Sequence, residues 1–389
     1  QRDGFSFDHT GHWLHLRDPY IQELVRELLG DELCEVERVA RVHTHGRRTL
    51  YPFQGNLHGL PADVIHECLV SYIKALLNRG DAEPRNFEEY INHHFGAGIG
   101  RHFMIPYNTK LWGVSPSEIT SAWCSRFVPR PDLEQVIAGA VGAGQSQLGY
   151  NVRFLYPRQG GIETLSRALA RKLDPARVSL NTAVSAVDQR ARTVTTAQGE
   201  TVPYHAMVST MPLPELVACL ADPPDAVLEA AGKLRATAVR YLNVASRKPA
   251  PEAYHWVYTP EQHLPFYRVG SFSNAVPSMA PAGCSNLYVE LAGRHEPDDA
   301  EVKQTLGALV EIGALSAVED VLFADVRNIE CAYVIFDHNY EASLGTIFPY
   351  LERHRIYSRG RYGAWIYNAM EDSLLAGKEV AGLIDAVNP

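Results

Sequence analysis

Apolar residues recur at helical spacing in several stretches. From Asp63 to Leu77, the residues Ile65, Cys68, Leu69, Tyr72, Ile73 and Leu76 share one face, which predicts an amphipathic helix. Asp18 to Leu33, Asn86 to Phe95 and Leu133 to Val141 read as further helices, separated by glycines and prolines. Gly160 and Gly161 stand just before another, with Leu165, Ala168, Leu169 and Leu173 on one side. Near the end, Met370, Leu374, Val380, Leu383 and Ile384 keep the same period around the small residues Ala376, Gly377 and Ala381. Asn368 lies three residues before Glu371, a capping-box spacing that sets this helix's start at Ala369.

Alternating stretches fill much of the rest. Gly4 to His15 reads as a short strand entering a turn at Gly11, and Val36 to Tyr51 as a hairpin turning near Gly46. Val178 to Asp188, Thr193 to Thr196, Thr201 to Val202 and Ala206 to Thr210 predict a succession of strands. Ala238 to Ala245, Ser285 to Leu291 and Val321 to Val334, with a helix from Ala300 to Leu315, predict an antiparallel sheet. Ile105 to Pro116 reads as a surface loop plugged by Trp112. The fold class is α/β, α+β overall.

Composition narrows the function. The chain has 389 residues, 46% of them apolar, enough for two or three domains at ~100 to 200 residues each. A net charge of −9 argues against nucleic acid as a partner. No run reaches the ~18 apolar residues of a membrane span and no signal peptide opens the chain, so a cytoplasmic location is expected. Six scattered cysteines without a CxxC pair indicate neither a zinc site nor a disulfide framework. His9, His12 and His15 lack a carboxylate or thiol at ligand spacing, so no metal is expected there.

Candidate chemistry gathers at the terminal helix. Its unpaired first-turn amides suit an electron-rich ring oxygen or a phosphate, and Arg361, Tyr362, Trp365 and Tyr367 lead into it. The Gly160 and Gly161 pair offers another close backbone approach at a helix start. Phe266, Tyr267 and Arg268 put a guanidinium among aromatics, with Glu290 ending a strand. Arg126 and Arg130 bracket a second basic stretch. GxSxG, HExxH, P-loop and DFG motifs are absent from the sequence.

The segments GFSFDHTGHW, YNTKLWG, RFVPRP, YPRQGG, STMP, FYR and GRYGAWIYNAMED span nearly the whole chain. Together they resemble the UDP-galactopyranose mutase family, within the wider amine oxidase and protoporphyrinogen oxidase superfamily of FAD proteins. The resemblance implies FAD as cofactor, touched by His12, Gly160, Gly161, Ser209, Gly360, Arg361, Met370 and Glu371. It implies a nucleotide sugar as small-molecule substrate, met by Trp112, Arg130, Phe154 and Arg268, with Arg361, Tyr367 and Tyr333 as the catalytic group. Phe154 and Ala369 depart from the family, which has tyrosine and aspartate there.

The expected organisation follows from the same resemblance. A Rossmann-like FAD-binding domain takes 1–16, 151–222 and 336–389, a helical insert takes 62–147, and an antiparallel substrate domain takes 17–61 and 223–335. The GxGxxG fingerprint, with an acidic residue ~20 positions on, is not in the sequence, so the FAD domain is expected to be truncated at its N-terminus and the chain to be a fragment. Three functions remain open: a pyranose/furanose mutase using reduced flavin as nucleophile, a flavin oxidoreductase of the amine oxidase or protoporphyrinogen oxidase type, and a non-catalytic remnant.

Overall fold

The computed structural model describes residues 1–124, 128–143, 152–293 and 295–387. Arg126 and the expected boundary between 147 and 151 lie outside them. Gly4 to His15 forms no strand: it runs irregularly, with only isolated bridge residues at Phe5, which pairs with Arg2, and at Leu14. Asp18 starts α1 (Pro19–Leu29) by accepting the Ile21 amide at 3.1 Å. The helix ends at Gly30, earlier than the period suggested, because the chain turns at φ 49 into β1 (Leu33–Glu37). Val36 therefore belongs to β1, and the predicted hairpin is β2 (Ala40–Thr44) with β3 (Arg47–Leu50), turning at His45 and Gly46.

Helix α2 (Ala62–Leu77) buries Val64, Cys68 and Tyr72, a stripe one residue off the expected face that leaves Ile73 exposed. Helix α3 (Phe87–Ile99) kinks at Gly96, where a Cβ would overlap the Ser71 backbone of α2. The expected surface loop is helical. A π-turn over Gly100–Met104 leads straight into α4 (Ile105–Trp112), and Pro106 falls in the first turn, where its missing N–H does no harm. Helix α5 (Leu133–Val141) starts on a complete capping box between Asp132 and Gln135.

Strand β4 (Arg153–Pro157) pairs antiparallel with β1 and leads through Gly160 and Gly161 into α6 (Glu163–Ala170), which ends before Leu173. A three-stranded meander follows: β5 (Val184–Asp188), β6 (Thr193–Thr196) and β7 (Thr201–Pro203). The stretch from Val178 does not join it. Nor does β8 (Met207–Ser209), which was expected to close the meander: it pairs elsewhere, in parallel. Two unforeseen helices come next, α7 (Leu213–Ala218) and α8 (Asp225–Lys233).

Besides short helical turns such as Phe272–Ala275 and Gly360–Gly363, the other elements are β9 (Arg235–Ser246), β10 (Trp256–Tyr258), β11 (Phe266–Ser271), β12 (Ser285–Leu291), α9 (Asp299–Glu311), β13 (Val321–Ile335), α10 (Tyr340–Arg353), β14 (Ile356–Ser358) and α11 (Met370–Val387). The capping box expected for the last helix does not form: Asp372 accepts the Ala369 amide at 2.8 Å, a single bond that the alanine side chain cannot return, while Asn368 donates to Ser373 at 3.2 Å.

The chain divides into two compact units. The first takes Gln1–Trp13, Asp31–Thr164 and Thr237–Glu330; the second takes Leu14–Gly30, Leu165–Ala236 and Cys331–Pro389. The first is built on a seven-stranded open sheet in the order β13-β9-β12-β11-β10-β2-β3. Its β10 and β2 pair in parallel, a departure from a wholly antiparallel sheet. All seven residues of β12 are buried, so both faces of the sheet's centre are covered, one of them by Ala308, Leu309 and Ile312 at the end of α9. The second unit holds the meander, the parallel pair of β14 and β8, and α10 packed on α8.

Candidate functional site

In the second unit, β14 and β8 run side by side with Ser358 opposite Ser209. The chain then turns at Gly360, at φ 78, and passes so near β8 that a Cβ on Gly363 would sit 2.7 Å from the Ser209 carbonyl. This turn throws Arg361 back against β13. Its guanidinium donates to the Ala332 carbonyl at 3.0 Å and to the Asn368 carbonyl at 2.7 Å. It lies 4.9 Å from the Tyr367 ring centre and 5.3 Å from that of Tyr333, and those two rings stack at 5.9 Å. Among the described residues no carboxylate pairs with Arg361, so its charge is held in place but not neutralised.

Helix α11 begins just beyond. The amides of its first turn have no carbonyl four residues back, which fits an electron-rich flavin ring edge. The Glu371 side chain is engaged elsewhere: it accepts the amide of Arg17, and that of Asp18 at 3.2 Å, which ties α11 to the start of α1. What Glu371 can offer a flavin is its backbone. Met370 stands in the same turn.

The first unit carries the other expected residues. His12 is half-buried, its Nδ1 3.4 Å from the Thr10 carbonyl, and a Cβ on the neighbouring Gly11 would overlap the Tyr288 hydroxyl. Gly160 and Gly161 both have positive φ, as expected of a helix-entry turn. The close approach this turn allows is made by Asp8, which accepts the Ile162 amide at 3.1 Å and the Tyr156 hydroxyl. Burial pushes the Asp8 carboxyl up to about 6, although the Tyr156 and Ile162 bonds oppose the rise. Phe154 is buried against Trp13, with ring centres 4.7 Å apart.

Trp112 is 1% exposed and meets Trp123 edge to face at 5.3 Å, so it is a core residue and not an open stacking surface. The accessible aromatic of the same motif, passed over in the sequence, is the half-buried Tyr107. Its ring stacks on Phe103 at 5.3 Å and meets Tyr258 at 5.2 Å. Lys110 anchors this helix by donating to the carbonyls of Thr259, Glu261, Leu264 and Phe266. On the sheet, Arg268 stands in register with Tyr258 on one side and Glu290 on the other. It grips the fully buried Glu290 carboxylate with two donors, Nε at 2.7 Å and Nη2, and is not a solvated arginine. Arg130 lines a separate cavity with Tyr90 and His94.

Among the described residues no group of three histidines, cysteines or acids is placed to hold a metal, and no helix is long and apolar enough to cross a membrane.

Known structures share this architecture. A reduced UDP-galactopyranose mutase superposes with a TM-score of 0.93 at 27% identity, covering 98% of this chain and 85% of that one. A protein named as a protoporphyrinogen oxidase from Exiguobacterium gives 0.73 at 16%, covering 99% and 89%. Cyclohexylamine oxidase from Brevibacterium oxydans gives 0.64 at 15%, covering 98% and 88%, which speaks for the fold alone. The profile of the flavin containing amine oxidoreductases matches residues 1–384, and the chain belongs to that family.

Proposed function

We propose that this protein, with FAD bound, is a mutase that interconverts the ring forms of a nucleotide sugar. The observation that carries the reading is the charge of Arg361, fixed between Tyr333 and Tyr367 and matched by no carboxylate among the described residues. At ~5 Å and an effective dielectric of ~20, such a charge favours an anionic leaving group by on the order of 3 kcal/mol and disfavours an ammonium substrate by as much. That suits a diphosphate and opposes amine oxidation. The match to the mutase supports the same choice.

The reduced flavin supplies the nucleophile that lets the sugar part from its diphosphate and reclose. Arg361 holds the departing diphosphate, while the Tyr333 and Tyr367 hydroxyls orient the sugar. Tyr107 offers the base a ring to stack on, with Phe103 and Tyr258 packed against it. Arg268 has its charge balanced by Glu290 and serves by direction more than by charge. Phe154 and Ala369, which replace a tyrosine and an aspartate, favour a sugar nucleotide other than the mutase's own.

The test is redox dependence. Protein bleached by dithionite under nitrogen should interconvert ring forms of a UDP- or dTDP-sugar, and oxidised protein should not. Arg361→Ala should lower turnover by on the order of tenfold to a hundredfold without a matching loss of flavin. Bleaching by an amine in air, with peroxide formed and nucleotide sugars inert, would replace this reading with an oxidase.

A further inference from the structure

Helix α2 carries more apolar surface than its own unit covers. Val64, Cys68 and Tyr72 face inward, and Ser71 is turned to α3, its hydroxyl accepting the Gly98 amide at 2.9 Å. Turned away from these, Ile65, Leu69, Ile73, Leu76 and Leu77 form a row at helical spacing, half-buried as far as Leu69 and open at Ile73 and at Leu77, which is 80% exposed. Helix α5 lies alongside and runs the other way: the Tyr72 hydroxyl donates at 2.8 Å to the Pro131 carbonyl, just ahead of α5, and the His58 amide, shortly before α2, donates at 2.9 Å to the Gly139 carbonyl near the end of α5. It adds a second open row, Leu133, Ile137 and Val141. Single surface leucines are ordinary, but these two rows together put on the order of 400 Å² of large apolar side chain in water, a size at which a patch on a monomer is often an interaction site.

What the face fits is set by its charges. Asp63 and Lys74 stand eleven residues apart, close to three full turns, so both lie on one flank of the row, the acid towards the N-terminal end and the base towards the C-terminal end. Both are exposed, and neither has an ion-pair partner among the described residues. Glu67, on the same flank, is already taken by Arg101 at 2.6 Å and His102 at 2.9 Å. The midpoint between Asp63 and Lys74 falls beside Leu69, which is also the midpoint between Ile65 and Ile73. Like flanks meet in an antiparallel helix pair, so a two-fold axis at Leu69 sets row on row and each acid against the other copy's base. His66, the exposed polar residue inside the row, then lies against the partner's Ile73 and not against its own counterpart.

We propose that this face is a homodimer interface, in which α2 packs antiparallel on α2 of a second copy about an axis at Leu69, Asp63 pairs with the partner's Lys74 in both directions, and the α5 row extends the contact. The patch with its rim approaches the ~800 Å² per partner that a stable dimer buries. The proposal uses no residue given to the sugar or the flavin, and it stands apart from the mutase reading.

Sedimentation equilibrium of the full chain across ~1 to 100 µM reads the assembly directly. A monomer–dimer equilibrium is expected. Ile73→Glu, which puts a charge at the centre of the face, should raise the dissociation constant at least about tenfold, and so should Lys74→Glu, which sets two acids against each other. Combining Asp63→Lys with Lys74→Glu should bring it back to within about threefold of the starting value. All three positions are exposed, so the helical circular dichroism should not change. A monomer throughout this range would overturn the proposal. So would a dimer indifferent to Ile73→Glu and Lys74→Glu, and so would a reversed pair as weak as Lys74→Glu alone, since the antiparallel match requires the rescue.

Discussion

Asp8 is the residue whose chemistry the sequence concealed. It is 8% exposed, and it fills the turn that Gly160 and Gly161 create, so an internal carboxyl occupies an approach that glycines at a helix start usually leave to a ligand. Its pKa, raised from 3.8 to about 6 by burial, corresponds to about 3 kcal/mol of stability. The sign follows from the direction: the contribution is complete below about pH 4, where the carboxyl is neutral folded or unfolded, and is lost as pH rises through about 6. Asp8→Asn cannot ionise yet keeps an acceptor for the Ile162 amide. The unfolding free energy of the wild type minus that of the variant should therefore fall by about 3 kcal/mol between pH 4 and pH 7, measured in urea. A difference that stays level across this range would mean that the bonds from Tyr156 and Ile162 outweigh burial and keep the carboxyl charged throughout.

Among the elements, those with local signals were legible and those defined by distant partners were not. Leu133–Val141, Thr193–Thr196 and Ser285–Leu291 fall where caps, turns and alternation put them. Strand β8 was visible as three alternating residues, but its parallel partner β14 lies about 150 positions on, and no local pattern names it. Helix α8 was missed although its signals are present, two prolines followed by Asp225 and an alanine-rich turn. Helix α4 hid behind Pro106, and the sign of its helicity was Lys110, spaced so that its side chain reaches four carbonyls of the β10–β11 connection. Burial draws Lys110 down to about 7, while Glu261 and the carbonyls favour the ammonium. Of the site, the arginines and tyrosines were readable as types; that Arg268 is neutralised and Arg361 is not depends on which strand lies alongside each. Lys110→Met removes the ammonium that four carbonyls share, and should destabilise the protein by ~2 to 4 kcal/mol at an unchanged denaturant slope. A loss under ~0.5 kcal/mol would show that water replaces the ammonium.

At the scale of the whole molecule, the path of the chain couples two cores that each stand on their own packing. It alternates between the units as Gln1–Trp13, Leu14–Gly30, Asp31–Thr164, Leu165–Ala236, Thr237–Glu330 and Cys331–Pro389. If the second unit melted alone, its segment Leu165–Ala236 would be a loop pinned at both ends by the folded first unit, and melting the first alone would pin Asp31–Thr164 and Thr237–Glu330 in the same way. Pinned ends withhold entropy from the unfolded state, ~3 kcal/mol for a loop of ~15 residues and ~4.7 kcal/mol for one of ~100, by the same reasoning that applies to a cross-link. Each unit is thus harder to unfold while the other stays folded than once the other has unfolded. We expect one calorimetric transition from the intact chain. The stretch from Arg171 to Leu180 is exposed throughout and lies inside one pinned segment, so a protease nick there frees two ends without removing a packed side chain. The nicked protein should lose on the order of 4 kcal/mol of this coupling and show two resolved transitions. Two transitions before cleavage, or a single one unchanged after it, would mean that the units are coupled by something other than the interleaved chain.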